Sequence, residues 1–274
     1  MSATHQLSPV AKLEQKTIHD LIVKGKRLDE RGTLDYRPMT ITMNIVEKAN
    51  GSAQVYLGKT KVLAGVKIET GTPFPDTPDE GVLTVNAEFV PLASSTFEAG
   101  PPDEDSIELA RVVDRGIRES KCIDLKKLCI VPGKKTFIVF VDIYILDHDG
   151  NLIDAAGMAA LGALISAKMH EFEYKNEELV LKDKTVPLPM QDQPLPVTSV
   201  KIDGSIVLDP CLEEEQVTSC RLTVTTGKDG RIVAMQKGGL GTFSPDEIKQ
   251  VVSTAISKSR DMRQAIVSKV NYHG

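Results

Sequence analysis

Four carboxylates fall within seven positions of the segment SIVLDPCLEEEQ, residues 205–216: Asp209, Glu213, Glu214 and Glu215. They follow an apolar run typical of a β-strand, and functional side chains often lie on the loops that follow strands. Carboxylates this close together could hold a divalent cation or serve as general acid and base. They could equally form an acidic loop without chemistry. The residues alone leave both interpretations open.

A second cluster is basic and lies in the segment IELARVVDRGIRES, whose apolar spacing predicts a helix. Arg111, Arg115 and Arg118 are spaced at i, i+4 and i+7, which places all three on one helix face. Such a face could contact nucleic-acid phosphates or the carboxylates of a partner protein. The alternative is a solvated stripe, paired within the helix to Asp114 and Glu119.

The composition excludes some classes of protein, but it does not show whether the acidic or the basic cluster is functional. The 33 basic and 38 acidic residues give a net charge of -5, so nucleic-acid binding would need a local basic patch. The four cysteines and five histidines have neither zinc-site spacing nor a nucleophile pattern, so we predict no metal site and no catalytic histidine. Charges scattered through the first residues and the absence of a long apolar run predict a cytoplasmic protein without membrane spans.

The elements that must position these residues form two blocks of short strands, each followed by a helix, which indicates an α+β fold. We predict an N-terminal helical segment at 1–26 and a first domain at 27–170. A charged, proline-containing linker is predicted at 171–199, followed by a C-terminal subdomain at 200–274.

Five motifs, in this order and spacing, resemble the RNase PH family. They are GKRLDERGTLDYRPMTI, GSAQVYLGKTKVLAGV, IELARVVDRGIRES, DHDGNLIDAAGMAALGAL and IVLDPCLEEEQ. The resemblance extends from about Arg27 to the C-terminal helix and is greatest to the ring subunit that archaeal exosomes pair with a separate catalytic subunit. It implies an RNase PH-like (ribosomal protein S5 domain 2-like) fold with two related β-sheet/helix halves.

The same resemblance implies the partners and the reaction. A paralogous catalytic subunit would alternate with this chain in a hexameric ring, a trimer of heterodimers, which carries RNA-binding cap subunits and encloses single-stranded RNA. The complex would use phosphate to release nucleoside diphosphates from the RNA 3′ end, with Mg²⁺ as a further candidate. No cofactor is expected in this subunit.

Compared with active family members, the site positions of this chain are degenerate. Asn151 and Leu152 stand in the turn that binds phosphate, and a leucine side chain cannot bind an anion. Asp209 keeps the first acidic position, whereas Glu215 replaces the second aspartate with a longer side chain. Acidic residues at 103–105 replace RNA-binding arginines. We therefore predict no catalytic residue in this chain.

Two alternatives remain open at this stage. One is a self-sufficient phosphate-dependent exoribonuclease that uses Asp209 and Glu215. The other is a scaffold that makes no contact with RNA, for which Arg111 and Arg115 would be solvated or would contact only the partner.

Overall fold

The computed structural model describes residues 9–175 and 178–270 of the chain. The α-helices described there are α1 (Pro9–Val23), α2 (Glu104–Glu119), α3 (Leu152–Ser166), α4 (Leu212–Gln216) and α5 (Pro245–Val270), and Leu125–Leu128 form a short 3-10 helix. The strands of the first half are β1 (Met39–Met43), β2 (Gly51–Leu57), β3 (Thr60–Gly71), β4 (Val82–Phe89), β5 (Cys129–Val131) and β6 (Lys135–Asp147). The remaining strands are β7 (Lys168–Lys175), β8 (Glu178–Pro187), β9 (Leu195–Ile202), β10 (Ser205–Leu208), β11 (Cys220–Thr226) and β12 (Ile232–Gly239).

The first sheet has the strand order β1-β2-β3-β6-β4, and β5 pairs with β6 outside this path. β4 runs parallel to β6, and the other pairs are antiparallel. Gly58, at φ +59, makes the tight turn between the antiparallel strands β2 and β3. Alternate residues of β3 (Val62, Ala64 and Val66) are fully buried, because this face of the sheet packs against α3.

The second sheet has the order β10-β9-β11-β12 and is antiparallel throughout. Helix α3 lies between the two sheets, and its small apolar residues are buried on all sides. Added Cβ atoms at Gly157 and Gly162 would meet Pro196 of the second sheet and Ala53 of the first. The two halves therefore share one hydrophobic core, which explains why this helix is so rich in alanine and glycine.

The segment predicted as a linker, 171–199, contains regular strands. β7 and β8 pair there as an antiparallel hairpin, and β9 begins at Leu195. The charges that suggested a linker pair across the hairpin, as Lys182 does with Glu173 at 2.6 Å, while Phe172 packs edge-on against Phe137 of the first sheet. The many charges and prolines of this segment suggested a linker, although charged residues can also pair across neighbouring strands.

The N-terminal helix predicted within 1–26 is present as α1. Ile18 and Ile22 of α1 are buried against Val200 and Ile202 of β9, in a smaller apolar cluster. The predicted segment 1–26 and the predicted subdomain 200–274 include residues 1–8 and 271–274, which lie outside the described residues. Among the helices of the described ranges, none combines the length and the apolar character that a membrane span requires.

Candidate functional site

Asp209 stands immediately after β10, as the sequence predicts, but its carboxylate faces into the protein. The residue is fully buried, and its backbone is left-handed at φ 47. Arg37 donates to it from the backbone N (2.8 Å), Nε (3.0 Å) and Nη2 (2.8 Å). Arg31 Nη1 donates at 3.0 Å and Asn151 Nδ2 at 2.8 Å. Five hydrogen bonds thus occupy the two carboxylate oxygens.

The charge state of Asp209 follows from these contacts. Burial alone would favour the protonated form, but hydrogen bonds and the positive charge of Arg37 outweigh it and lower the pKa of Asp209. Arg37 is itself buried and donates further to the backbone oxygens of Asp149 and Gly150. Asp209 therefore stays ionised and holds three chain segments together.

Glu214, the central acidic residue of the segment, is also an internal ion-pair partner. It is buried and receives the Arg27 guanidinium through both oxygens, with Nε at 2.8 Å from Oε1. Arg27 also donates to the backbone oxygens of Leu208 and Asp209 at 2.8 Å each. By contrast, Glu213 is exposed. Asp209 and Glu214 are therefore held by different arginines and Glu213 faces solvent, so these carboxylates do not converge on one ion.

Glu215 occupies the position at the start of α3 that an anion would take. Its Oε1 accepts the backbone N–H of Asn151, the N-cap of this helix, at 2.8 Å. A carboxylate at a helix N-terminus satisfies an unpaired N–H and meets the positive end of the helix dipole. The close approach of the two segments needs Gly150, where an added Cβ would lie 2.6 Å from Pro210 O. Burial raises the pKa of Glu215 to about 7.

Sequence reasoning missed Asp154, a fully buried carboxylate in the first turn of α3. It accepts hydrogen bonds from Tyr36 Oη (2.7 Å), Asn151 Nδ2 (2.9 Å), and both the backbone N (3.0 Å) and Oγ1 (2.8 Å) of Thr198. Burial raises the pKa of Asp154 to about 6, although these donors oppose the shift. An acidic residue three positions after a helix N-cap was the available signal. Asp154 fixes α3 to β9.

A cavity of about 160 Å³ opens beside this helix start. Its charged lining is mostly acidic, with Asp105, Glu108 and Glu215 facing a single arginine, Arg221. Arg221 is already paired with Glu108 at 2.5 Å. Leu152 completes the apolar part of the lining. In this cavity a phosphate group would meet three carboxylates and one arginine that is already in an ion pair, which disfavours anion binding.

The acidic loop before α2 has a structural task. Asp103 is the N-cap: its Oδ1 accepts the Ser106 backbone N–H at 2.8 Å, and the helix begins at Glu104. Together with Asp105, these acids lie at the positive end of the helix dipole. Neighbouring acids and burial raise the pKa of Asp105, with burial the larger cause.

The three arginines of α2 are exposed, as the predicted common face requires, but they differ in how much they are engaged. Arg118 is paired with Asp114 at 2.7 Å and donates to the Leu83 backbone oxygen at 3.1 Å. Arg115 Nη1 donates to Gln236 Oε1 of β12 at 3.3 Å. For Arg111, no hydrogen bond or ion pair to another described residue is recorded. Arg111 and Arg115 are the cations of this face with most capacity for an external ligand.

Comparison with known proteins defines the class to which this fold and site belong. Residues 35–170 match the family model of domain 1 of the 3′ exoribonuclease family, and residues 192–258 match domain 2. The chain belongs to this family, which is the RNase PH family, so the family and fold predictions are confirmed.

The chain is similar over nearly its whole length to individual archaeal proteins. It is 49% identical to exosome complex component Rrp42 of Thermococcus kodakarensis, covering 97% of this chain and 98% of the relative. It is 51% identical to Rrp42 of Pyrococcus horikoshii, covering 97% of each. A chain of the Archaeoglobus fulgidus exosome with RNA bound to the active site superposes with a TM-score of 0.87 at 44% identity, covering 94% of this chain and 99% of that one. A chain of an archaeal exosome core superposes with a TM-score of 0.83 at 41% identity, covering 94% of this chain and 97% of that one.

Proposed function

We propose that this chain is a non-catalytic ring subunit of a phosphorolytic 3′–5′ exoribonuclease, an exosome that degrades RNA. Archaeal relatives at about half identity over nearly the full length are exosome components, which supports the assignment to such a complex. The catalytic steps would belong to a paralogous RNase PH-like subunit that alternates with this chain in a hexameric ring. RNA-binding cap subunits and a cytoplasmic location belong to the same proposal.

One observation carries the non-catalytic assignment: the chain's own side chains occupy the atoms that catalysis would need. Asp209 is held by Arg31, Arg37 and Asn151, so it is not free to hold a metal or exchange a proton. Glu215 fills the N-terminus of α3, where the phosphate-binding turn of active family members is expected. Asp209 and Glu215, the two residues that a self-sufficient enzyme would use, thus have structural roles. Phosphate, and Mg²⁺ where it is used, would bind at the partner.

Within the ring, the chain would position the partner's active site and contribute to RNA binding. Arg111 and Arg115 are exposed cations on an otherwise acidic protein, which favours contact with RNA phosphates at or near the subunit boundary. A scaffold without RNA contact predicts that these arginines are dispensable for RNA affinity.

The test is phosphorolysis of poly(A), with phosphate and Mg²⁺, by the purified chain, by the paralogue from the same genome, and by the two together. We expect nucleoside diphosphate release from the mixture and none from this chain alone. As a matched control, the mixture is repeated with the acidic site of the paralogue inactivated, which should abolish release. Robust release by this chain alone would refute the proposal and establish the self-sufficient enzyme.

A further inference from the structure

The cavity beside the start of α3 carries more negative charge than its own lining neutralises. Three carboxylates line it, and the arginine in the lining, Arg221, is already paired with Glu108. The recorded hydrogen bond to the Glu215 carboxylate goes to Oε1, which leaves Oε2 able to accept from another donor. For Asp105, which is exposed at the rim, no hydrogen bond to another described residue is recorded. The cavity therefore offers a cation two carboxylates, those of Asp105 and Glu215.

A buried acceptor without a donor belongs to the same lining. Asn151 is 2% exposed, and its Oδ1 has no hydrogen-bond partner among the described residues. Its Nδ2 donates to the carboxylates of Asp154 and Asp209, which fixes the orientation of the amide. Neither of these two residues lines the cavity, so the oxygen edge of the amide is turned to the cavity side. Because buried polar groups nearly always have a hydrogen-bond partner, this oxygen indicates a donor supplied by a bound molecule.

Aromatic rings form much of the apolar lining. Phe89 and Phe97 lie with their ring centres 4.6 Å apart, and Phe97 stacks on the His148 ring at 5.4 Å. Burial lowers the pKa of His148, so this ring is neutral at pH 7 and adds no positive charge to the cavity. Aromatic rings pack against methylene groups and attract cations at their faces. The lining thus suits an organic cation with an apolar stem.

The size and spacing of the acceptors distinguish an organic cation from a metal ion. Among the described residues, no three carboxylate, histidine or cysteine side chains are close enough together to hold a metal ion. The cavity measures about 160 Å³, and a second cavity of about 360 Å³ shares Glu108, Glu215 and Arg221 with it. A primary ammonium group has three diverging N–H donors, which matches acceptors on different sides of a cavity. A linear diamine has one such group at each end of an apolar stem.

We propose that the cavity beside the start of α3 binds a linear aliphatic diamine. One ammonium group lies between Glu215 and Asn151 Oδ1, and the other pairs with Asp105 at the rim. The cavity stands where the phosphate-binding turn of active family members is expected, and its carboxylates reverse the charge that it accepts. The inference goes beyond the proposed function and does not depend on it, because the residues that carry it all belong to this chain.

The probe is putrescine, a linear four-carbon diamine, titrated calorimetrically into the purified full-length chain at constant ionic strength. We expect saturable binding with one site per chain. Butanediol with terminal hydroxyl groups has the same stem without the charges, and it should not bind. Mg²⁺ at the same ionic strength should not displace putrescine, because a compact ion cannot reach the separated acceptors together. Putrescine that does not saturate, equal binding of butanediol, or displacement by Mg²⁺ would each overturn the inference.

Substitutions locate the site on the chain. Asp105→Asn and Glu215→Gln each remove one charge with little change of shape, and each should weaken putrescine binding at least about 10-fold through the loss of a charge-assisted hydrogen bond. Glu213→Gln removes the same charge from an exposed position of α4 and, as the matched control, should bind like the wild type. Thermal unfolding checks that each variant is folded. Wild-type affinity in both cavity variants, or an equal loss in Glu213→Gln, would overturn the inference and leave the proposed function standing.

Discussion

Replacement of Asp209 by asparagine separates a structural carboxylate from a catalytic one. Asparagine has nearly the same shape and tolerates the left-handed backbone at φ 47, so the substitution removes charge without adding backbone strain. It leaves the buried guanidinium of Arg37 without its main counterion and turns an amide N–H₂ toward donors. The expected effect is a large loss of stability without a specific loss of activity.

The size of this loss can be estimated from burial and pairing. Removing one member of a buried ion pair costs about 3–5 kcal/mol, and Asp209 is fully buried with two arginine partners. At roughly 2–4 °C per kcal/mol for a chain of this size, a loss of about 3 kcal/mol lowers Tm by roughly 6–12 °C. Because the folded-state pKa of Asp209 is lowered, its contribution is complete above its unfolded-state pKa and is lost as the pH falls through the folded-state value.

The assay combines thermal unfolding of the chain with phosphorolysis by the assembled complex below the variant's Tm. Asp209→Asn should unfold at a clearly lower temperature at pH 7, whereas activity per assembled complex should stay near the wild-type value. Glu213→Gln, which neutralises an exposed carboxylate of the same segment, is the control and should shift stability by less than about 0.5 kcal/mol. A wild-type Tm together with a large loss of turnover would refute the structural role of Asp209.

Two further predictions concern the arginine face and the start of α3. The double variant Arg111→Ala, Arg115→Ala should bind single-stranded RNA more weakly and reduce the slope of log affinity against log salt by about 1.4, since each phosphate contact on a single strand contributes about 0.7. The control is Arg118→Ala, because the Arg118 guanidinium is already paired with Asp114. An unchanged slope in the double variant would favour the scaffold without RNA contact. For Glu215, whose pKa is raised to about 7 in the folded state, stability should fall as the pH rises from about 4.5 to 7, because the unfolded chain releases the proton first. Glu215→Gln should remove this pH dependence, and urea unfolding at pH 8 should show the variant to be more stable than the wild type. A less stable variant at pH 8 would show that the attraction between the Glu215 charge and the N-terminus of α3 is larger than the cost of burying that charge.

Much of the fold follows from local patterns in the sequence. Alternating apolar residues and a glycine turn indicate the β2–β3 hairpin, and the helical spacing of apolar residues indicates α2. The β7–β8 hairpin was missed, because its charges pair across strands and only the tertiary structure shows that pairing. The hairpin depends on contacts between two strands, and these contacts cannot be read from the residues one at a time.

The sequence places the acidic segment directly after a strand, where the structure has it, but the internal pairing of its carboxylates could not be predicted from spacing. Arg27, Arg31 and Arg37 lie more than 170 residues from Asp209 and Glu214 along the chain. No pattern within the segment after β10 indicates that these distant arginines would neutralise it. The sequence therefore shows where the carboxylates are, whereas the fold shows what they bind.

This pairing gives the strand end after β10 a role in stability. A catalytic carboxylate must keep an oxygen lone pair available to a metal ion, a proton or the substrate. At Asp209, five donors use the roughly four lone-pair directions of the group, so that availability is gone. The same donors come from the segment before β1 and from the start of α3, which fastens both to the second sheet. The contacts that close the site to chemistry thus also hold the segment before β1, the start of α3 and the end of β10 together.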